Sequence, residues 1–489
     1  MSLVSKRSSV LGTLAMALWL VNPRSDAADR PNVLFIAVDD LRPEFGAYGA
    51  SHVKSPNLDR LAKRGVTFLH AYCQQAVCSP SRSSVMTGTR PDTTKVWDLE
   101  THFRDALPDV VTVGEHFKSN GYFVQGMGKI YHGGFDDPQT WSVPWQAAEG
   151  QAYALRENRG PGAPKVAGKN KRKQRANKRG PAFEGADVPD GTFRDGFVAD
   201  LAVESLQSLK KREQPFFLAV GFAKPHLPFV APKRYWDLYD PMAIPLATNR
   251  FPPKGAPSYA ILPGGELRSY RGIPNGSIPD DLSRQLKHGY YAAISYMDAQ
   301  LGRVLDELDR LELTSNTIVV LWGDHGWKLG EHDAWCKHSN CENDTHASLL
   351  LASPGVKEAG AKADGLVEFV DIYPTLCDLA GLPLPSHLEG MSFRPLLEEP
   401  TRAWKKAAFS QYPRKQEGKN LMGYSMRTDR YRFTGWVDRE DPSRIEAIEL
   451  YDHQSDPEEN INIADKPESR ELVYQLQSQW KLGWKGAKP

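Results

Sequence analysis

Charged and titratable residues follow directly after four apolar stretches of the sequence. These residues are Asp39-Asp40, Lys129 with His132, Lys224 with His226, and Asp324-His325. Carboxylate oxygens are ligands that Ca²⁺ and Mg²⁺ prefer, a lysine binds anionic oxygens as a point charge, and a histidine transfers protons near neutral pH. Any one of these groups alone is more simply a polar loop after a buried strand. All four at one edge of a sheet would form a site.

A fifth stretch, Cys78-Ser79-Pro80-Ser81-Arg82, leads into a predicted helix. Pro80 suits the first turn of that helix, and Cys78 stands just before it, where exposed N–H groups and the helix dipole favour an anion. Arg82 follows Cys78 by about one helical turn. An unmodified Cys78 would be a thiol of lowered pKa. The simplest alternative is a polar loop that enters a helix.

The elements that must position these residues alternate along most of the chain. Continuous apolar runs predict strands buried on both faces, and apolar stripes predict amphipathic helices. The predicted strands are 32–38, 122–127, 216–222, 317–322 and 348–352, and the predicted helices start at Pro56 (with Ser55 as N-cap) or cover 80–88, 290–313 and 372–379. This order predicts an α/β sandwich with a mostly parallel central sheet. Ligands bind at the carboxyl ends of the strands in such sheets, so we expect the polar groups to meet there.

The pattern changes near Ala407, where shorter predicted strands replace the alternation. The strands at 421–426, 431–436 and 447–450 and a terminal helix at 468–480 predict a smaller α+β subdomain. We therefore expect a large α/β domain at 28–400 and a C-terminal subdomain at 401–489.

The N-terminal residues 1–27 have the pattern of a secretory signal peptide. Lys6 and Arg7 precede an apolar run over 10–21, and small residues occupy the −3 and −1 positions of a cleavage site in Ser25-Asp26-Ala27. The apolar run is short for a membrane span, although an uncleaved anchor is the alternative. We expect export to the periplasm or the medium, with no stable membrane insertion.

Overall composition excludes two classes of function. A net charge of +1 over 489 residues does not favour nucleic acid or another polyanion as a partner on bulk charge. The five cysteines lack the spacing of a zinc module. In a compartment that permits disulfides, Cys336 and Cys341 are candidates for a bridge, and the pairing stays open.

Residues 155–185 form a basic insertion, rich in lysine and arginine and poor in apolar residues. Such a composition predicts a solvated, disordered segment. The alternative is a flexible arm that attracts a sulfated polymer.

Motifs along most of the chain resemble those of the formylglycine-dependent (type I) sulfatase family, most closely its iduronate-2-sulfatase branch. The motifs are Val38-Asp39-Asp40-Leu41-Arg42-Pro43, Gln74-Gln75-Ala76-Val77-Cys78, Arg90-Pro91-Asp92-Thr93-Thr94, Gly128-Lys129 with His132, Lys224-Pro225-His226 with Pro228-Phe229, Asp324-His325-Gly326-Trp327, Leu329-Gly330-Glu331-His332, Trp335 and Lys337. The resemblance implies an alkaline-phosphatase-like fold and a sulfuric ester hydrolase. The basic insertion, the Cys336 and Cys341 pair and the part beyond about Gly390 depart from the family pattern, so sugar specificity is not carried over.

The resemblance also implies a nucleophile and a metal. Cys78 would be oxidised by a separate maturation enzyme to formylglycine, whose hydrated aldehyde attacks sulfur. The residues implied to bind one Ca²⁺, with Mg²⁺ less favoured, are Asp39, Asp40, Cys78 (as formylglycine), Asp324 and His325. Many sulfatases have Asn in place of His325, and the alternative for this histidine is to orient a carboxylate ligand. Arg82 would brace the nucleophile or serve only recognition by the maturation enzyme.

The remaining implied roles concern the substrate. Lys129 and Lys337 would hold sulfate oxygens, His132 would assist collapse of the hemiacetal, and His226 would protonate the leaving sugar oxygen. Trp327 would contact a sugar ring.

We expect a sulfatase for a sulfated carbohydrate, with a 2-O-sulfated uronic acid residue as the first candidate. The alternatives are another sulfated polysaccharide such as an algal one, a phosphoester or phosphonate hydrolase on the same scaffold, and a non-catalytic sulfated-glycan binder. Matched aryl sulfates and phosphates would separate the two hydrolase classes. A thiol at Cys78 in native material would favour the binder.

Overall fold

The computed structural model describes residues 30–159 and 179–489. The predicted signal peptide and most of the predicted basic insertion lie outside the described residues. Within the described ranges, no helix is long and apolar enough to cross a membrane.

A seven-stranded sheet forms the centre of the larger part of the protein. Its strands are β1 (Asn32–Val38), β2 (Val66–Phe68), β3 (Phe123–Gly128), β4 (Phe216–Phe222), β5 (Thr317–Gly323), β6 (Leu349–Ala352) and β7 (Lys362–Ala363). They lie in the order β7-β2-β6-β5-β1-β4-β3. The strands β5, β1, β4 and β3 are parallel neighbours, whereas β6 is antiparallel to both β5 and β2. The predicted mostly parallel sheet is confirmed, with one reversed strand.

Helices cover both faces of this sheet. The longer ones are α1 (Pro56–Arg64), α2 (Cys78–Thr87), α3 (Val113–Ser119), α4 (Arg194–Leu209), α5 (Asp280–Arg310) and α6 (Ile372–Leu379). A seventh helix, α7 (Arg470–Lys481), belongs to the C-terminal part. Leu34 and Ile36 of β1 pack in one apolar cluster with α1, α4 and α5, and Val33 and Phe35 pack in the other with α2, α3 and α6. Alternate strand residues point to opposite faces, so the predicted α/β sandwich is confirmed.

Short elements complete the connections between the longer ones. They are single-turn helices at Pro91–Thr94, Lys233–Trp236, Glu342–Thr345 and Arg394–Glu398, and short strands at Ala71–Tyr72, Phe183–Ala186, Phe229–Pro232, Lys328–Leu329, Trp335–Cys336 and Val367–Glu368.

Helix α5 differs from its predicted start. It begins at Asp280 rather than at residue 290. Asp280 and Asp281 lie in its first turn, where negative charge is favourable, and the buried side chain of Leu286 extends the apolar stripe. Polar residues between these positions weaken the apolar pattern, which is why the sequence did not predict the first turns.

Helix α1 is capped from another element. Ser55 occupies the N-cap position, as predicted, but its hydroxyl makes no capping hydrogen bond. The carboxylate of Asp298, on α5, instead accepts hydrogen bonds from the backbone N–H groups of Asn57 (3.0 Å) and Leu58 (2.7 Å). Burial raises the pKa of Asp298 to about 6. The cap therefore joins α1 to α5 through one buried carboxyl group.

The C-terminal part contains a second, antiparallel sheet. Its strands, in spatial and chain order, are β8 (Ala408–Gln416), β9 (Lys419–Arg427), β10 (Tyr431–Asp438) and β11 (Ile445–Asp452). Leu476 and Trp480 of α7 pack on this sheet beside Phe433. The predicted α+β subdomain is confirmed, but the sequence did not predict β8, which contains Pro413 and two charged residues, Arg414 and Lys415. The boundary near residue 400 stays a prediction.

Ion pairs join this second sheet to the larger part. The guanidinium of Arg432, on β10, is buried and donates to Glu459 (2.6 Å) and to Glu342. Arg427, on β9, contacts Glu342 as well (3.3 Å). Glu342 stands five residues after Lys337 along the chain. The antiparallel sheet thus anchors the segment that carries this lysine.

The candidate bridge between Cys336 and Cys341 is not formed in the structure. All five cysteines are buried free thiols, and the Cys341 Sγ lies 3.0 Å from the hydroxyl of Ser339.

Candidate active site

The four predicted polar groups meet at one edge of the central sheet. The register pairs Val38 of β1 with Phe222 of β4 and with Gly323 of β5, and pairs Gly128 of β3 with Gly221 of β4. These four parallel strands therefore end at the same level, and the residues that follow them are neighbours. The expectation drawn from the strand ends is confirmed.

Three buried carboxylates form the centre of this cluster. Asp39 and Asp40 follow β1, Asp324 follows β5, and an oxygen of each lies within 4.8 Å of an oxygen of the other two. The backbone N–H of Asp40 donates to Asp324 (3.0 Å), and the N–H of Asp324 donates to the carbonyl of Val38 (3.1 Å). Asp40 has a φ of 60°, a left-handed conformation that aspartate tolerates. The local backbone thus holds three anionic groups together.

His325 points one ring nitrogen at this cluster. Its Nδ1 is 2.9 Å from the carbonyl of Gly326, so Nδ1 is the hydrogen-bond donor. Its Nε2 lies 3.4 Å from Asp40 Oδ1 and 3.5 Å from Asp324 Oδ1, and is the ring nitrogen available to a metal ion. A backbone carbonyl that fixes the tautomer in this way is typical of metal-binding histidines.

The donor set suits a hard divalent cation. Carboxylate oxygens dominate it, as Ca²⁺ and Mg²⁺ prefer, and one imidazole nitrogen joins them. Oxygens of Asp39, Asp40 and Asp324 form one group of potential ligand atoms, and Asp40, Cys78 and His325 form another. The two groups share Asp40, so all five predicted ligands surround one small volume.

Cys78 is the first residue of α2, and its side chain faces the carboxylates. Its Sγ lies 3.5 Å from His325 Nε2 and 3.7 Å from Lys129 Nζ. All ten residues of α2 are buried, so the packing of the helix fixes the position of Cys78. Burial, followed by the charge of Asp39, raises the pKa of the Cys78 thiol well above its usual value. An unmodified Cys78 is therefore a neutral thiol, a poor nucleophile. The lowered pKa expected from its place at the start of a helix is wrong, because burial and the neighbouring carboxylate disfavour the thiolate.

Arg82, one turn further along α2, ties the cluster together. Its guanidinium is completely buried. It donates to Asp324 (2.9 Å), to Asp39 (3.3 Å) and to the carbonyl of Ile130 (3.0 Å). A charged group with this many buried partners is fixed in place, so Arg82 holds the ends of β1, β5 and β3 in a constant relation.

Lys129 and His132 follow β3. The ammonium of Lys129 contacts Asp39. Burial alone would raise the pKa of Asp39, but Lys129 beside it holds the pKa well below the usual range. Burial and Lys129 lower the pKa of His132 to about 4, and its Nδ1 is buried without a hydrogen-bond partner among the described residues. His132 is therefore a neutral imidazole at neutral pH.

Lys337 lies on the opposite side, next to Asp40. Its Nζ is 3.0 Å from Asp40 Oδ1 and 4.7 Å from the ring centre of Trp327. Trp327 is completely buried, which does not match the expectation that it contacts a sugar ring. Its ring packs beneath Lys337 in a cation–π contact because the turn after β5 directs the tryptophan into the core. In the structure, Trp327 supports the lysine.

His226 is held by the turn that follows β4. The carboxylate of Asp195 accepts hydrogen bonds from the N–H groups of Ala223 and Lys224 (2.8 Å each), and the Lys224 ammonium donates to the carbonyl of Pro228 (2.7 Å). Burial lowers the pKa of Lys224 to about 8. The Lys224 side chain therefore shapes the turn, and it presents His226 with Nδ1 2.6 Å from the carbonyl of Leu227.

One residue at the site was not predicted. Glu266 places Oε1 3.0 Å from His226 Nε2 and Oε2 2.9 Å from Lys337 Nζ. It lies in an irregular loop with no strand end before it, so no periodicity in the sequence marks it.

The comparisons with known proteins agree with this geometry. The model of the sulfatase family matches residues 31–382, and the model described as N-sulphoglucosamine sulphohydrolase, C-terminal, matches residues 330–483. The chain therefore belongs to the sulfatase family, and it is an enzyme that hydrolyses sulfate esters. Its relatives include iduronate 2-sulfatases. The protein from Mus musculus is 36% identical over 545 residues, covering 96% of this chain and 97% of the mouse protein, and the protein from Homo sapiens is 35% identical with the same coverage.

Solved structures share the fold. A protein in complex with its substrate D-glucosamine-2-N,6-O-disulfate aligns with a TM-score of 0.70 and 23% identity, covering 94% of this chain and all of the other. A phosphonate monoester hydrolase from Silicibacter pomeroyi aligns with a TM-score of 0.74 and 21% identity, covering 94% and 96%. The predicted alkaline-phosphatase-like fold is confirmed, as is the resemblance to the sulfatase family and its iduronate-2-sulfatases.

Proposed function

We propose that this sulfatase is an exported, Ca²⁺-dependent enzyme that removes the 2-O-sulfate of a uronic acid residue in a sulfated carbohydrate. One observation carries the proposal: Cys78 lies among three buried carboxylates, two lysines and two histidines, the groups that hydrolysis of a sulfate ester requires. The identity of 36% to mouse iduronate 2-sulfatase supports the choice of sugar. Export rests on the N-terminal sequence pattern.

The metal would be held by Asp39, Asp40, Asp324 and His325, together with residue 78. A bound divalent cation would supply positive charge against the sulfuryl oxygens and the nucleophile. Arg82 and Lys129 already offset part of the buried negative charge of the carboxylates, so the site keeps its shape around the ligand atoms.

The nucleophile would be formylglycine, made from Cys78 by a maturation enzyme. Its hydrate offers one hydroxyl for attack on sulfur and a second for the release of sulfate. The buried, neutral thiol of Cys78 has neither. The N-terminus of α2 favours negative charge on the attacking oxygen, and Arg82 braces this end of the helix.

Side chains around the nucleophile have complementary roles. Lys129 and Lys337 would bind sulfate oxygens from two sides. His226 would donate the proton from Nε2 to the leaving sugar oxygen: burial alone would lower its pKa, but Asp40 and Glu266 raise the pKa above its usual value. His132, whose pKa is about 4, would accept a proton when sulfate is released.

A panel of sulfated disaccharides tests the proposed substrate. The enzyme, produced with a maturation enzyme and loaded with Ca²⁺, is expected to release sulfate fastest from a disaccharide with a 2-O-sulfated uronic acid at its non-reducing end. Cys78→Ala should lower turnover by more than about a thousandfold, since it removes the nucleophile. Cys377→Ala, a matched change in the apolar core, should retain turnover.

Two other outcomes would overturn parts of the proposal. Preference for a different sulfated sugar, such as an algal one, would retain the chemistry and replace the substrate. Peptide mass spectrometry of native material that finds a thiol at Cys78, together with glycan binding, would favour the non-catalytic alternative.

A further inference from the structure

The loop that carries Glu266 is fixed against the segment of Lys337. A Cβ on Gly264 would lie 1.9 Å from the backbone carbonyl oxygen of Trp335, so only glycine allows the two backbones to approach this closely. Leu267, next to Glu266, is buried in the core. The carboxylate between these two anchors is therefore a fixed part of the site.

The two oxygens of Glu266 bridge two cationic groups. One is 3.0 Å from His226 Nε2, and the other is 2.9 Å from Lys337 Nζ. Two oxygens of a transferred sulfuryl group would make the same pair of contacts if Lys337 binds a peripheral oxygen and His226 the bridging oxygen. The carboxylate therefore lies directly beside the position proposed for the ester.

Glu266 carries a full negative charge in this position. Burial alone would raise its pKa, but Lys337 and His226 hold the pKa well below the usual range. Its side chain is 18% exposed, so solvent screens this charge only in part.

We propose that Glu266 determines specificity by charge: it admits singly charged esters and disfavours doubly charged ones at the same site. The inference rests on the proposed roles of Lys337 and His226. Sulfate monoesters and phosphonate monoesters carry one negative charge, whereas a phosphate monoester carries two above its second pKa. A fixed carboxylate repels a dianion about twice as strongly as a monoanion at equal distance.

Three 4-nitrophenyl esters test this proposal, because they share a leaving group. They are the sulfate (one charge), the phenylphosphonate (one charge) and the phosphate (two charges). The phosphate and the phenylphosphonate both have phosphorus as the central atom, so a difference in kcat/KM between them that changes with Glu266 reports charge and not the central atom. The readout is kcat/KM for each ester at pH 8 with the matured, Ca²⁺-loaded enzyme.

Glu266→Gln should raise kcat/KM for the phosphate relative to the phosphonate by about tenfold, the size of the interaction between charges a few ångströms apart. Two control variants should keep the phosphate-to-phosphonate ratio of kcat/KM within about threefold of wild type. Glu266→Asp retains the negative charge at the site. Asp281→Asn removes an exposed charge outside the site, in the first turn of α5. A phosphate-to-phosphonate ratio that Glu266→Gln leaves within twofold of wild type would overturn the proposal.

A binding measurement keeps the test decisive if Glu266→Gln turns over too slowly. Isothermal titration calorimetry of the wild type and of Glu266→Gln with inorganic phosphate at pH 8 and with methylphosphonate monomethyl ester reports affinity for a dianion and a monoanion without turnover. The affinity for phosphate relative to the monoanion should be about tenfold higher in Glu266→Gln than in the wild type, and an unchanged ratio would overturn the proposal. The ratios measured with the 4-nitrophenyl esters do not depend on which sugar the enzyme prefers. The disaccharide panel can therefore contradict the proposed substrate without contradicting the proposed role of Glu266, and the reverse also holds.

Discussion

Every buried carboxylate at the centre of the site has a cationic side chain in contact with it. Asp39 contacts Lys129, Asp40 contacts Lys337, and Asp324 contacts Arg82. Isolated buried charges are costly and persist only when they are paired or bind a metal. Burial nevertheless raises the pKa of Asp40, which shows that its lysine does not fully compensate for the lost hydration.

Removal of divalent cations should therefore destabilise the folded protein. We expect EGTA to lower Tm and added Ca²⁺ to restore it more effectively than Mg²⁺. A ligand at one hundred times its Kd stabilises the folded state by about 2.7 kcal/mol. Differential scanning calorimetry measures this shift without reference to activity.

Asp324→Asn provides the control for that experiment. It removes a ligand charge, so the variant should lose most of its Tm response to Ca²⁺. An unchanged Tm of the wild type across EGTA, Mg²⁺ and Ca²⁺ would contradict a structural cation at these carboxylates.

Residues at strand ends could be predicted from the sequence, whereas residues that act through tertiary contacts could not. Asp39, Lys129, His226 and Asp324 follow apolar runs, and parallel strands bring such positions together. Glu266 reaches the site from an irregular loop. The motif that contains Trp327 gave no sign that its ring would be buried, since the direction of a side chain after a strand depends on the packing around it.

At the scale of elements, the cap of α1 shows how a local prediction can fail. Ser55 has the residue type and position of an N-cap, but its hydroxyl accepts a hydrogen bond from the backbone N–H of Gly46 (3.4 Å) and caps no helical N–H group. Asp298, far away in the sequence, supplies the acceptor from α5. Similarly, the sequence did not predict β8, because an edge strand of a half-exposed sheet can contain proline and charged residues and then lacks the apolar pattern of a buried strand.

Substitution of Asp298 should change stability in a pH-dependent manner. Its pKa is about 6 in the folded protein, above the value of an unfolded aspartate of about 4. The folded state then binds the proton more tightly, so the wild type loses stability as pH rises from about 4 to about 6, by up to about 3 kcal/mol.

Asp298→Asn keeps an acceptor for the capping hydrogen bonds and removes the titration. The stability of wild type relative to this variant, measured by urea unfolding, should therefore fall across that pH window and stay level above it. Asp298→Ala should cost about 1–2 kcal/mol at pH 4, where the carboxyl group is neutral, because it leaves helix N–H groups unpaired. A pH-independent difference between wild type and Asp298→Asn would contradict the raised pKa.

At the scale of the whole molecule, the two described stretches that flank residues 160–178 lie next to each other. A Cβ on Gly180 would lie 2.4 Å from the carbonyl oxygen of Asn158, so the described residues on either side of 160–178 touch. The N–H of Arg271 also donates to the carbonyl of Gly180 (3.1 Å). Both flanking stretches are therefore held by contacts among described residues.

Deletion of residues 160–178, with a short glycine linker in their place, should leave kcat/KM on a small sulfated disaccharide within about twofold, since the site residues lie on other elements. Activity on a long sulfated polymer is the second readout. A second variant keeps the full length of the segment but has its lysines and arginines changed to serine. It distinguishes the effect of the segment's charge on polymer activity from the effect of its length. A large loss on the disaccharide would show that the segment contributes to the site.

Through the ion pairs of Arg432 with Glu342 and Glu459, the antiparallel sheet helps to position residues of the active site. Glu342 and Lys337 belong to one short segment, and Arg432 holds that segment from the other part of the chain. A protein truncated near residue 400 would therefore lose one support of the segment that carries Lys337, the lysine for which we propose sulfate binding. Chimeras between related sulfatases should exchange Arg432 and Glu342 together.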